Sequence, residues 1–207
     1  MIVLDRRSSD DTPARILATA WDLFRQLGAR TTIADVAEKL GMSSANIYRF
    51  YASKQALCEA VCANQLGAMT EIAREIARGP GTPANRIREI SLMLHRAMRD
   101  QMTSESRVHE IVEIAIRERW SSIGVFQENC DAIVAGLVAE GQARGDFGPG
   151  DPLKLAAHTL CACACIHHPS MIAHKMDDPL ALSPEDIVDF ALRALAHPDP
   201  FPTRPEA

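Results

Sequence analysis

The chain has 207 residues, 47% hydrophobic and 24% charged, enough to bury a core and too apolar for a disordered segment. Its formal charge of -5 is unevenly spread: residues 1–54 hold eight Lys/Arg against six Asp/Glu, and the rest hold 14 against 21. A mildly basic head on an acidic body keeps a phosphate-binding surface at one end, because such a surface needs local rather than global positive charge.

The opening Met1-Ile-Val-Leu-Asp-Arg-Arg lacks the apolar core of a secretory signal, and no later stretch approaches the roughly 20 apolar residues that span a bilayer. A soluble, cytoplasmic protein without a membrane partner is expected. Its six cysteines are then thiols in a reducing compartment rather than a disulfide framework.

Residues 1–10 are polar and charged and read as a flexible arm. Thr12-Pro13 opens a helix, in which Ile16, Leu17, Ala20, Leu23, Phe24 and Leu27 share a face that Gly28 ends. Thr32 caps a second helix with Ile33, Val36, Ala37 and Leu40 on one side, and Gly41 supplies a left-handed turn. Ser43 caps a short third helix to about Phe50, and Ser53 caps a long one running toward Arg78. After the break at Gly79-Pro-Gly-Thr-Pro83, apolar spacing predicts helices near 84–101, 105–119, 121–144, 152–168 and 184–196. The tail 198–207, rich in proline, reads as flexible. Strand patterning is almost absent, so the fold class is all α.

The segment Thr32 to Tyr51 has the logic of a helix-turn-helix: small Ala37 allows close approach, Gly41 turns the chain, and Met42 and Ile47 plug the angle between helices. Ser43, Ser44, Asn46, Tyr48 and Arg49 then face outward. Asn pairs with adenine and Arg with guanine, Ser and Tyr more often hold phosphate, and Lys54 reaches the DNA backbone. With Thr32, these are the candidate DNA-binding residues.

Thr32-Ile33, Asp35-Val36-Ala37, Leu40-Gly41-Met42-Ser43, Ile47-Tyr48 and Phe50-Tyr51-x-x-Lys54 resemble the TetR/AcrR, or tetracycline-repressor-like, family over about a quarter of the chain. The chain departs from that pattern at Ser44-Ala45, where the family often has Lys-Gly, so the operator sequence is not transferable. The resemblance implies an N-terminal three-helix DNA-binding domain over 11–56, extending to about 71 with the start of the long helix, and a C-terminal helical ligand-binding and dimerisation domain over 57–197. It also implies double-stranded operator DNA, a second copy and a small-molecule effector as partners.

In the body, Leu153, Leu155, Ala156, Ala157 and Leu160, with Ile187, Val188, Ala191, Leu192 and Leu195, offer two broad apolar faces suited to an isologous interface. Met93, Met98, Met102, His109, Ile116, Trp120 and Phe126 are candidates to line a cavity or simply to fill the core. The run Cys161-Ala-Cys163-Ala-Cys165-Ile-His167-His168 carries the residue types that bind soft metals. On one helix Cys161 and Cys165 share a face, as do Cys165 and His168, but Cys161 and His168 lie roughly 10 Å apart along the axis. One helix therefore gives at most two ligands. A thiol- or metal-responsive regulator using Cys161, Cys165 and His168 is an alternative; buried packing is the plainer reading, and no metal or other cofactor is expected. No nucleophile elbow, glycine-rich phosphate loop or His-Glu-x-x-His helix occurs, so the chain is not expected to be an enzyme, an all-helical enzyme being the remote alternative.

Overall fold

Every element among the described residues of the computed structural model is a helix, as the apolar spacing required. The structure describes residues 12–104, 106–168, 171–172 and 183–196; the expected arm at 1–10 and tail at 198–207 lie outside them, as do the side chains of Met102 and His109. In chain order the elements are α1 (Thr12–Leu27), a 3-10 turn (Gly28–Arg30), α2 (Ile33–Leu40), α3 (Ser44–Tyr48), α4 (Lys54–Arg78) and α5 (Pro83–Ser104). They continue with α6 (Ser106–Arg117), α7 (Ser121–Ala143), α8 (Pro152–Ala162), α9 (Ala164–His167) and α10 (Pro184–Ala196). None is long and apolar enough to cross a membrane.

The helix starts have chemical causes. Thr32 and Ser43 accept from the backbone N–H groups of Asp35 and Asn46, Ser53 from Ala56 at 3.0 Å, and Asp151 from Leu153 and Lys154 ahead of Pro152. Each fills one of the donors that a first helical turn leaves free. The start of α7 is capped from a distance, since Glu59 on α4 accepts from both the N–H and the hydroxyl of Ser121.

The chain divides into two compact units, Met1–Thr70 with Asp100–Gln127 and Glu71–Arg99 with Glu128–Ala207. The first is built on an apolar core in which Ile16, Ala20, Phe24, Val36, Ala37, Ile47, Leu57, Ala115 and Trp120 are buried together. Leu27, expected on the buried face of α1, is instead 37% exposed because the helix ends there. Gly28 follows with φ +63, and a Cβ at that position would sit 3.1 Å from Cβ of Arg107 on α6. That close approach, together with the bond from the Arg107 guanidinium to the Gln26 carbonyl, seats α6 against the end of α1. Trp120, one of the residues expected to line a cavity or fill the core, belongs to this core and donates its indole N–H to Glu118.

The second unit holds polar groups inside. Arg86, 7% exposed, donates to the Ala77 carbonyl at 2.7 Å and pairs with Glu140, fixing the end of α4 and the last turn of α7 to α5. Arg88 on α5 grips Asp189 on α10, and Arg74 donates to Asn129. The helix expected over 152–168 is broken at Cys163 into α8 and α9. The Thr159 hydroxyl donates to the Leu155 carbonyl, a back-bond that loosens the helix. Two histidines then redirect the chain beyond the break: His95 Nδ1 lies 2.8 Å from the Ile166 carbonyl, and His167 Nε2 lies 3.1 Å from the Ser91 carbonyl.

Burial, reinforced by neighbouring His95, pushes the His167 imidazole down from the ordinary 6.5 to about 4. The unfolded chain therefore takes up this proton near pH 6.5, whereas the folded chain refuses it until pH 4. The resulting stability is complete above pH 6.5 and is lost as pH falls toward 4, up to about 3 kcal/mol. Urea midpoints measured from pH 7.5 to 4 should fall across that window more steeply in the native chain than in His167→Gln; parallel profiles would remove the assignment.

Candidate nucleic-acid interface

The sequence Thr32 to Tyr51 forms two helices joined by a turn whose geometry comes from Gly41. Its φ of 65 and ψ of 33 lie in the left-handed region. The Gly41 N–H donates to Glu38 at 3.0 Å and the Met42 N–H to Ala37 at 2.9 Å, closing α2 with a Schellman pattern. The chain then leaves at the angle that lets Ile47 enter the core with no exposed surface, while Met42 packs partly buried beside it.

α3 has five residues, and its sides are sharply divided. Ile47 is buried; Tyr48 is 51% exposed, and Arg49 is exposed just beyond it, with Ser44 and Asn46 half-buried. Thr32, Ser43 and Lys54 are also exposed, but all three have work within the protein. Ser43 holds the start of α3 through the Asn46 N–H at 3.3 Å. Thr32 and Asp35 form a capping box: the Asp35 N–H donates to the Thr32 hydroxyl, and the Thr32 N–H donates back to the Asp35 carboxylate at 2.7 Å. Those Thr32 bonds, backbone before side chain, hold the Asp35 carboxyl below the usual carboxylate range. Lys54 donates to the Ala29 carbonyl and so joins the start of α4 to the turn after α1. Sequence reasoning placed Lys54 at the DNA backbone and had no signal for this internal contact. It named Phe50 only in the family pattern and not among the site residues, yet Phe50, just beyond α3, is 44% exposed.

The cysteine run forms no comparable site. Cys161 is exposed, Cys163 fully buried and Cys165 half-buried, and the break at Cys163 divides them between two helices. Burial pushes the Cys163 thiol up to about 11, the direction that suits packing rather than reactivity. Among the described residues no group of three or more His, Cys, Asp or Glu is placed to hold a metal ion.

Of the two faces expected to meet a second copy, the one on α10 is largely used inside the chain, whereas on α8 only Ala156 is, with Leu155, Ala157 and Leu160 half-buried and Leu153 exposed. Ala156, Val188, Ala191, Leu192 and Leu195 are all buried in the second unit's own core. The large apolar groups left outside are Leu153 on α8, 54% exposed, and Phe190 on α10, 73% exposed. Phe190 was missed because the helical apolar pattern assigned its neighbours to the face.

Comparison with known proteins gives a consistent result. Residues 16–61 match the family model described as bacterial regulatory proteins, tetR family, and residues 83–188 match that of the tetracyclin repressor-like C-terminal domain. The uncharacterized HTH-type transcriptional regulator YvaF of Bacillus subtilis (strain 168) is 28% identical over 127 residues, 61% of this chain and 65% of that protein, just under two thirds of its length. The reduced form of E. coli NemR superposes with a TM-score of 0.66 at 17% identity, covering 91% of this chain and all of that one (100%). SmeT, the repressor of the Stenotrophomonas maltophilia multidrug efflux pump SmeDEF, gives 0.64 at 17% identity over 93% and 98% of the two chains. At these identities the structural likeness is one of fold.

The reciprocal bonds of the capping box make its two side chains a unit. Thr32→Ala and Asp35→Ala should each cost about 1 kcal/mol in urea unfolding, and the double variant should cost clearly less than their sum. Additive losses would show that the two caps act separately.

Proposed function

The chain belongs to the TetR family of bacterial regulatory proteins, and from that premise we propose that it is a sequence-specific DNA-binding transcriptional regulator acting as a homodimer. The observation that carries this reading is the division of α3: Ile47 is locked into the core while Tyr48 and Arg49 project outward directly after a fixed turn. Residues 11–56, continuing to about 71, are the DNA-reading part, and 57–197 the regulatory and dimerisation part. The acidic remainder of the chain leaves the basic head as the end that faces phosphate.

In this reading Ser44, Asn46, Tyr48 and Arg49 address the major groove and its flanking phosphates. Thr32, Ser43 and Lys54 touch phosphate from the helix ends they hold in place. A five-residue recognition helix makes too few contacts for selective binding alone, so two copies read the half-sites of a palindromic operator. The unspent apolar groups Leu153 and Phe190 support a second copy as the cover for α8 and α10. The regulator is a cytoplasmic repressor, not an enzyme, and a small molecule releases it by favouring a second arrangement of the body. That the relative SmeT is a repressor agrees with this direction. Helix α4 runs unbroken from Lys54 to Arg78 and contributes residues to both units, which makes it the covalent route for such a change.

The test is fluorescence anisotropy of the full chain on the intergenic DNA beside its own gene, across a salt series, with random DNA as control. Tight, salt-sensitive binding at two subunits per site is expected. Arg49→Ala and Tyr48→Ala should each weaken it about tenfold or more while the mass of the dimer stays unchanged. Unaltered affinity in both variants would remove α3 as the reading helix.

A further inference from the structure

Tyr48, Arg49 and Phe50 stand exposed in succession where α3 ends, and the DNA-reading assignment uses only the first two. Phe50 is out of place by the apolar period. It lies three residues after Ile47, and a helix continued through it would turn both side chains to the same buried side. The chain tightens instead: the N–H groups of Phe50 and Tyr51 both donate to the Ile47 carbonyl, at 3.0 and 3.1 Å. Tyr51 then packs partly buried against the core, and Phe50 is left 44% exposed.

A phenyl ring does not suit the contacts its neighbours make. It neither donates nor accepts a hydrogen bond, so it has nothing to offer a phosphate oxygen or a polar base edge, whereas Tyr48 and Arg49 do. Among the described residues of the first unit, the large hydrophobic side chains left exposed are Leu27, Tyr48, Phe50 and Val125, two of them in this three-residue stretch. A second copy is a poor cover for it. Residues 1–54 carry eight Lys/Arg against six Asp/Glu, so an isologous contact here would set Arg49 and a positive head against themselves. DNA is the partner that the charge favours, and the apolar feature that a base pair shows in the major groove is the C5-methyl group of thymine.

We propose that Phe50 is a specificity-determining residue of the DNA-reading surface, its ring packing on the C5-methyl group of a thymine in the operator half-site. The assignment deepens the reading of the chain as a DNA-binding regulator and rests on that reading. The contact adds affinity without a hydrogen bond and is sensitive to one group only, because uracil presents the same donors and acceptors as thymine and lacks the methyl. Burial of a single methyl is worth about fourfold in affinity, and two copies on a palindromic site multiply this to more than about tenfold.

The test compares two forms of the intergenic DNA beside the gene, amplified with thymine or with uracil throughout, primers included, by fluorescence anisotropy of the full chain at one salt concentration. The native chain should bind the thymine form more than about tenfold more tightly. Ala45 is exposed on α3 as well, and its methyl group also suits a thymine, so the change in the ratio between native and Phe50→Ala is the quantity that assigns Phe50. Phe50→Ala should lower that ratio about tenfold by weakening the thymine form alone, Phe50→Leu should keep most of it, and Phe50→His should lose it. Thermal midpoint and dimer mass should be unchanged in all three, since the side chain lies outside the core. Selective binding with the same ratio in native and Phe50→Ala would overturn this assignment alone. Loss of the dimer in Phe50→Ala would overturn it in favour of a contact between copies. No preference of the native chain for the thymine form over random DNA would take the DNA-reading function with it.

Discussion

The first unit depends on the burial of Ile47. A helix of five residues cannot hold its own shape in water, where roughly 12 to 15 residues are needed even for good helix formers. α3 survives because Ser43 fills a free donor at its start, the backbone turns back at Phe50 and Tyr51 onto the Ile47 carbonyl, and the Ile47 side chain is drawn fully into the core. The direction of every outward group on α3 is therefore set by the one inward group. Gly41 is the precondition, since a side chain with a Cβ is strained at its φ of 65, and a different exit from α2 would aim Ile47 elsewhere.

The second unit obeys a different constraint. Its interior contains Arg86, Ser91, His95 and Thr159, so its packing is pinned by directional bonds as well as by apolar contact. The break at Cys163 shows their effect. Nothing in the spacing from Pro152 to His168 interrupts a helix, but the Thr159 back-bond loosens it, and His95 and His167 hold the residues beyond it against α5. Local propensity yields here to two hydrogen bonds whose partners lie more than 70 residues away in the chain.

That contrast explains what could be read in advance. Helix starts at Thr32, Ser43, Ser53 and Asp151-Pro152 are local events, written in a side chain and the N–H two or three residues later, and the head's core comes from a 3.6-residue period. The outward set on α3 was legible for the same reason, because one period places Ile47 inside and Tyr48 outside. Long-range partnerships leave no such trace. Gly28 reads as a helix stop, yet its second role, giving Arg107 room to approach, appears only in three dimensions. Lys54 reads as a phosphate-directed charge, and its bond to the Ala29 carbonyl is invisible in the spacing. On α10, an apolar residue committed to its own core and one left for another surface look alike, which is why Val188 and Leu192 were grouped with the outer face and Phe190 was overlooked.

The two kinds of interior suit two kinds of work. A recognition helix must keep its side chains within fractions of an ångström of one geometry, and the apolar, fully interlocked core around Phe24, Val36 and Ile47 resists any second packing. The response to a ligand proposed for the body needs the opposite property, a small number of discrete arrangements close in free energy. Directional bonds provide that discreteness. The bonds from His95 and His167 to the Ile166 and Ser91 carbonyls hold α9 against α5 in one such arrangement. The polar groups inside the second unit thus fix its helix positions through directional bonds as well as through packing.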